Sequence, residues 1–149
     1  MASILTSRCR RTRSRVVADN VPFVAVRPER YIGQVVGSGQ CVAYVRETTG
    51  LPPADVWRRG DPVSTTDCAR HTAVATFDAN GRYGNHSDGR SHAAIFQQQI
   101  STGIRVLDQW VGHPVTHRVI RWKEGVGKAA DDASRYYIIE IEAEPRREA

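Results

Sequence analysis

An α+β domain, with one helix ahead of an antiparallel sheet, is the fold class this sequence predicts, and three observations predict it. A glycine-rich turn, Gly37-Ser38-Gly39, opens onto Val42 and Val45, spaced for one helix face, and Gly50 with Pro52-Pro53 stops the run. From residue 72 onward the apolar period shifts toward two, with β-branched and aromatic residues enriched. Gln99 to Thr102, ahead of Gly103, joins two such runs as a hairpin. Helix first and meander afterwards is the order of an α+β chain.

The elements follow in order. Residues 1–20 form a basic extension expected to be disordered, and 21–149 a single domain. The apolar stretch 21–26, closed by Pro28, suits an edge strand or a packed arm. Residues 29–36 suit one helical turn leading into the glycine bend. The helix runs from Cys41 to about Thr49, with Ser38 placed to cap it. Residues 51–62 read as a loop anchored by Trp57, with a short helix over 55–59 ending at Gly60. Strands are predicted over 72–77, 92–98, 103–108, 116–122 and 136–142. Polar, turn-rich loops occupy 78–89 and 125–134.

Charge and cysteine usage narrow the function classes. Arg8, Arg10, Arg11, Arg13 and Arg15 crowd the first fifteen residues; taking those five from the 21 basic residues leaves 16, equal to the 16 acidic ones. The excess is therefore a tail and not a basic face, so nucleic acid is not an expected partner. The tail has no apolar stretch of the kind a secretory signal carries. No run approaches the roughly 18 apolar residues of a membrane span. Cys9, Cys41 and Cys68 are odd in number and lack a CxxC pair, which fits neither a disulfide framework nor a finger-type zinc site. A chain made in a reducing cytoplasm fits them best.

Cys41 is the residue best placed for chemistry. A helix start offers unpaired N–H groups and a positive dipole end, both of which favour the thiolate. His92 opens one strand and Asp108 ends the next. If Gly103 marks their hairpin turn, both lie together at the far end. Asp108 can then accept from one imidazole nitrogen while the other faces Cys41, the nucleophile–base–orienter logic of thiol hydrolases. His71, His113 and His117 suit surface or capping positions, and His86, in the 78–89 loop, is the substitute base. An alternative role for Asp108 is a surface ion pair with Arg105 or Arg118. Cys41, His86 and His92 lack compact ligand spacing and a fourth ligand, so no metal or other cofactor is expected.

The segment Gly37-Ser38-Gly39-Gln40-Cys41-Val42-Ala43 resembles the cysteine motif of the NlpC/P60 and CHAP papain-like cell-wall hydrolases. A closer resemblance is to a small bacterial family related to one group of type VI secretion amidase effectors. It is carried by Ser38-Gly39-Gln40-Cys41-Val42, Trp57-Arg58-Arg59-Gly60, Thr72-Ala73-Val74-Ala75-Thr76-Phe77-Asp78, Asn80-Gly81-Arg82-Tyr83, His92-Ala93-Ala94-Ile95-Phe96 and Val106-Leu107-Asp108-Gln109-Trp110. His71 stands where the resemblance leads one to expect a turn glycine.

The resemblance implies a papain-like fold, with the cysteine-bearing helix packed on the sheet. It also implies hydrolysis of an amide in peptidoglycan stem peptides or cross-links, with Cys41 as nucleophile, His92 as base and Asp108 as orienter. An antibacterial effector of this kind implies a cognate immunity protein and action in the periplasm of a target cell. The oxyanion would meet the Cys41 backbone N–H, with Gln34 or Tyr31 as a second donor. Arg82, Tyr83, Asn85 and Arg90, on the loop before His92, are placed to line a groove for the carboxylate-bearing substrate. The competing class is a non-catalytic wall- or nucleic-acid-binding module on the same fold.

Overall fold

The computed structural model describes residues 22–142; the basic extension and the start of the 21–26 arm lie outside them. Within these bounds the chain is α+β. Helix α1 (Cys41–Thr49) precedes all six strands of one sheet: β1 (Trp57–Pro62), β2 (Ala73–Ala75), β3 (Ala93–Ile100), β4 (Gly103–Trp110), β5 (His113–Arg121) and β6 (Tyr137–Ile141). The strand order is β1-β6-β2-β3-β4-β5, and every neighbouring pair is antiparallel. No helix among the described residues is long and apolar enough to cross a membrane.

Helix α1 is short because its ends are written locally. Tyr44, Val45 and Thr48 supply the buried face. Gly50, at φ 80°, takes the left-handed conformation and donates its N–H to the Arg46 carbonyl. The start departs from expectation. Gln40, not Ser38, holds the N-cap position, and no side chain caps the helix. The Ser38 hydroxyl instead accepts from Gln40 N at 3.3 Å, closing the turn one residue earlier.

The predicted loop and short helix over 51–62 are the main correction. Only Ala54–Val56 forms a 3-10 turn, and Trp57 begins an edge strand paired with β6 through Trp57↔Ile141 and Arg58↔Glu140. Trp57 is fully buried, and its indole N–H donates to Pro52 O at 2.9 Å. The partner strand lies some eighty residues downstream, so nonlocal pairing overrides the local pattern. Gly60 sits where the register shifts between Arg59 and Pro62; a Cβ there would approach Ile138 O to 2.6 Å.

The other strands match their predicted positions with adjusted ends. β3 and β4 form the expected hairpin, with Ile100↔Gly103 flanking the turn and a bulge between Phe96 and Gln98. β5 starts earlier, at His113, and carries Pro114 on the sheet's outer strand. Its edge is partly covered, since Gly33 N donates to Val115 O and Val115 N donates to Gln34 O. The 22–26 arm lies along the start of β2, with Ala25 N bonded to His71 O and Ala73 N to Phe23 O. His71 holds φ 77°, the backbone for which a turn glycine is expected, and its ring meets Glu29 at 2.9 Å.

The sheet is buried on both faces. One cluster includes Tyr44, Val45, Trp57, Ile95 and Leu107; the other includes Val74, Phe96, Ile104, Val106 and Tyr136. Helix α1 covers the first face, packing on β3 and β4, and the 129–135 segment helps cover the second. This explains the near-continuous apolar runs in β2 and β3, where both alternating sets face protein.

Candidate active site

The start of α1 meets the adjoining ends of β3 and β4. Cys41 is the first helical residue and is half-buried. The turn before it is held by Gln109, a buried amide on β4. Its oxygen accepts from Val36 N at 2.9 Å, and its nitrogen donates to Val36 O and Gln40 O, both at 2.9 Å. One side chain thus ties the cysteine turn to the strand that carries Asp108.

His92 is clamped just before β3. Its backbone N–H donates to Thr76 Oγ1 at 3.0 Å, and Thr76 N donates to His92 O at 3.0 Å. Its Nε2 lies 2.7 Å from Asp108 Oδ2. That contact leaves Nδ1 for the thiol, which borders the same groove and is drawn toward its charged form by the imidazole. Cys41, His92 and Asp108 are therefore brought together as the sequence suggested.

Asp108 is fully buried and makes more than the ion pair weighed as its alternative role. Arg118 reaches the same Oδ2 through Nε at 3.0 Å and Nη2 at 2.7 Å, so three donors converge on one oxygen. Trp110 lies over this guanidinium, 5.0 Å from Cζ to the ring centroid, and packs on His113 at 4.1 Å between ring centroids. Gln109 escaped sequence reasoning as a site residue, and Arg118 entered it only as a surface ion-pair partner of Asp108. The available signal was a polar residue, Gln109, embedded next to Asp108 in an apolar strand.

The electrostatics favour a thiolate–imidazolium pair. Burial pushes the Cys41 thiol up, but the hydrogen bond and charge of His92, the Tyr83 hydroxyl and the Ala93 backbone N–H outweigh it and bring the thiol below its usual value. Burial pushes His92 down, yet the bond to Asp108 and the contact with Cys41 carry it up to about 9. Asp108, raised by burial, is held below the usual carboxylate range by His92 and Arg118. A charged thiolate beside a charged imidazolium can attack an acyl carbon and then protonate a departing group.

A groove of about 430 Å³ opens over the thiol, lined by Gln40, Tyr83, Asn85, Ser87, Ser91 and Trp110, together with His86 and His92. Of the predicted substrate-binding residues, Tyr83 and Asn85 line it, whereas Arg82 and Arg90 do not. Arg90 is captured by Asp88, two residues away, at 3.0 Å and is exposed; the Arg82 side chain is also exposed. The groove offers amides and hydroxyls near the thiol, without the two arginines. Tyr31 and Gln34 also lie outside the groove, with Tyr31 Oη contacting Glu47 at 3.5 Å and Gln34 Nε2 donating to Arg30 O at 3.2 Å.

His86 borders the groove but is engaged by Asp78, at 3.0 and 3.2 Å from its two carboxylate oxygens. Gly84 makes room for this pair, since a Cβ there would approach His86 Nε2 to 2.2 Å. Among the described residues no group of three or more His, Cys, Asp or Glu side chains has an arrangement that could hold a metal ion.

Comparison with known proteins identifies the family of the chain. The family described as domesticated amidase effector 2 matches residues 15–139. A type VI secretion amidase effector 2 protein of Salmonella typhi is 34% identical over 114 residues, covering 68% of this chain and 84% of that protein. Domesticated amidase effector 2 of Ixodes scapularis is 37% identical over 116 residues, covering 71% of this chain and 74% of that protein. The solved structure of a type 6 secretion amidase effector 2 superposes with a TM-score of 0.70 at 29% identity, covering 84% of this chain and 99% of the other. With a family match spanning most of its length and a site built on the shared fold, the chain belongs to the domesticated amidase effector 2 family.

Proposed function

We propose that this protein is a papain-like cysteine amidase that hydrolyses an amide bond in peptidoglycan stem peptides or cross-links, as an antibacterial effector. The observation that carries this reading is the sharing of one buried imidazole between Cys41 and Asp108 beneath an open groove. The family's amidase relatives supply the bond class.

Cys41 is the nucleophile. Its thiolate attacks the amide carbonyl, His92⁺ protonates the leaving amine, and neutral His92 then activates the water that releases the acyl-enzyme. Asp108 orients the imidazole and stabilises its charge. The oxyanion meets the backbone N–H of Cys41, which as the first N–H of α1 has no acceptor within the helix. Asn85, Gln40, Ser87 and Ser91 offer hydrogen-bonding groups to the peptide backbone of the substrate. The substrate places the site of action in the periplasm of a target cell, and an immunity protein that plugs the groove is the partner this activity requires in a producing cell.

Digestion of purified peptidoglycan, followed by mass analysis of the fragments, tests the reading. The wild-type protein cuts, while Cys41→Ala and His92→Ala do not. Equal fragment release by the Cys41→Ala variant refutes it.

A further inference from the structure

Tyr83 stands out among the groove residues because its hydroxyl faces the reacting sulfur. Tyr83 Oη lies 3.6 Å from Cys41 Sγ. Among the described residues the thiol is the only hydrogen-bond partner this hydroxyl has. The ring is 6% exposed and wedged between aromatic neighbours, with Trp57 at 5.1 Å and Phe77 at 6.2 Å between centroids. Behind it the backbone is fixed, since Asp78 N donates to Arg82 O and Arg82 bridges Arg58 on β1. A buried, immobilised ring with its polar end on the groove floor has little freedom to turn away.

We propose that Tyr83 is a further catalytic residue, whose O–H donates first to the Cys41 thiolate and then to the oxyanion formed on the attacked carbonyl. This rests on the amidase reading above and supplies the second donor that Tyr31 and Gln34, both outside the groove, do not provide.

The geometry supports both uses. When the Sγ–C bond forms, the carbonyl oxygen becomes an oxyanion only two bonds from Sγ. A donor already in contact with the sulfur is within reach of that oxygen after a small shift. The other donor, Cys41 N–H, comes from the helix start, so loop and helix together hold the developing charge. Proton balance is preserved, because Tyr83 keeps its proton throughout. The leaving amine takes its proton from His92⁺ as the C–N bond breaks. In the second half, water adds to the thioester with loss of a proton to His92, and the C–S bond breaks. The sulfur then leaves as a thiolate that Tyr83 hydrogen-bonds again. Burial, followed by the charge on Cys41, holds the phenol far above its ordinary value, so it remains a donor at every working pH.

Tyr83→Phe removes one oxygen and keeps the ring packing, and it is tested in the full-length protein by two readouts. The first is the pH dependence of Cys41 alkylation by iodoacetamide, followed by peptide mass analysis, which needs no substrate. The thiol midpoint is expected to move upward. The second is hydrolysis of purified peptidoglycan cross-links, with kcat expected to fall about 10²-fold and KM to stay within a few-fold. Phe77→Leu loosens the same aromatic packing but retains the hydroxyl, and it should keep the wild-type midpoint.

An unmoved midpoint in Tyr83→Phe overturns the thiolate contact. A moved midpoint with an unchanged kcat overturns the oxyanion role. An equal shift in Phe77→Leu assigns the effect to packing and overturns the proposal. If the wild-type protein cuts no amide, the amidase reading fails by itself, and the alkylation profile still decides the Tyr83 hydrogen bond.

Discussion

Asp108→Asn separates geometry from charge at the buried carboxylate. All three donors, His92 Nε2 and the Nε and Nη2 of Arg118, converge on Oδ2, and Oδ1 has no partner among the described residues. An asparagine can place its carbonyl oxygen at the Oδ2 position and its NH₂ where no donor competes. His92 therefore keeps its tautomer, with Nε2 protonated and Nδ1 toward the thiol. What is lost is charge assistance, which makes such bonds roughly twice as strong as neutral ones. For the imidazolium the loss is about 1–1.5 kcal/mol. At 1.36 kcal/mol per unit, His92 should fall by about one pH unit from its value of about 9. The same energy taken from the transition state lowers the rate about tenfold. Asp108→Ala should be much worse, because it strands buried donors; about 3–5 kcal/mol of stability and about 10 °C in Tm are expected. The assay pairs NMR titration of the His92 ring with fragment release from peptidoglycan. An Asp108→Asn protein as inactive as Cys41→Ala, or one whose His92 titration is unmoved, refutes the reasoning.

Three further outcomes follow from the same site. Hydrolysis requires the imidazolium to protonate the leaving amine, so kcat/KM should fall as pH rises through about 9. His92, raised above its ordinary 6.5, stabilises the fold fully below pH 6.5 and loses that contribution through about 9. Cys41, lowered from 9.0, contributes above its ordinary value and loses that stability as pH falls through its depressed one; urea midpoints across pH measure both. Gln109→Leu removes three hydrogen bonds and leaves Val36 N–H unpaired beside the cysteine turn, while Val36 O keeps the Gly39 N–H, so thermal unfolding should show a loss of about 1–3 kcal/mol, with hydrolysis falling too.

The limits of the sequence reading have physical causes. Helix α1 was legible because a glycine turn and Gly50 write both of its ends within a dozen residues. The β3–β4 hairpin was legible through Gly103, and with it the neighbourhood of His92 and Asp108. Strand β1 was not, because Trp57 and Arg58 acquire strand character only from β6. Arg82 and Arg90 looked like substrate cations by position, yet Asp88 captures Arg90 and both side chains are exposed. Arg118 looked like a surface partner, although its bond is to a fully buried carboxylate.

The sequence by itself determined that Cys41 begins a helix, that strands follow, and that a histidine and an aspartate stand near adjoining strand ends. Those features depend on local turns and on hydrophobic period, which act between near neighbours in the chain. Only the tertiary structure decided that Asp108 is buried with Arg118, that Gln109 pins the cysteine turn, and that the Tyr83 hydroxyl meets the sulfur. Each of those contacts spans from 10 to 73 positions in the chain. Their hydrogen bonds exist because packing excludes water and fixes side-chain direction, which no local pattern specifies.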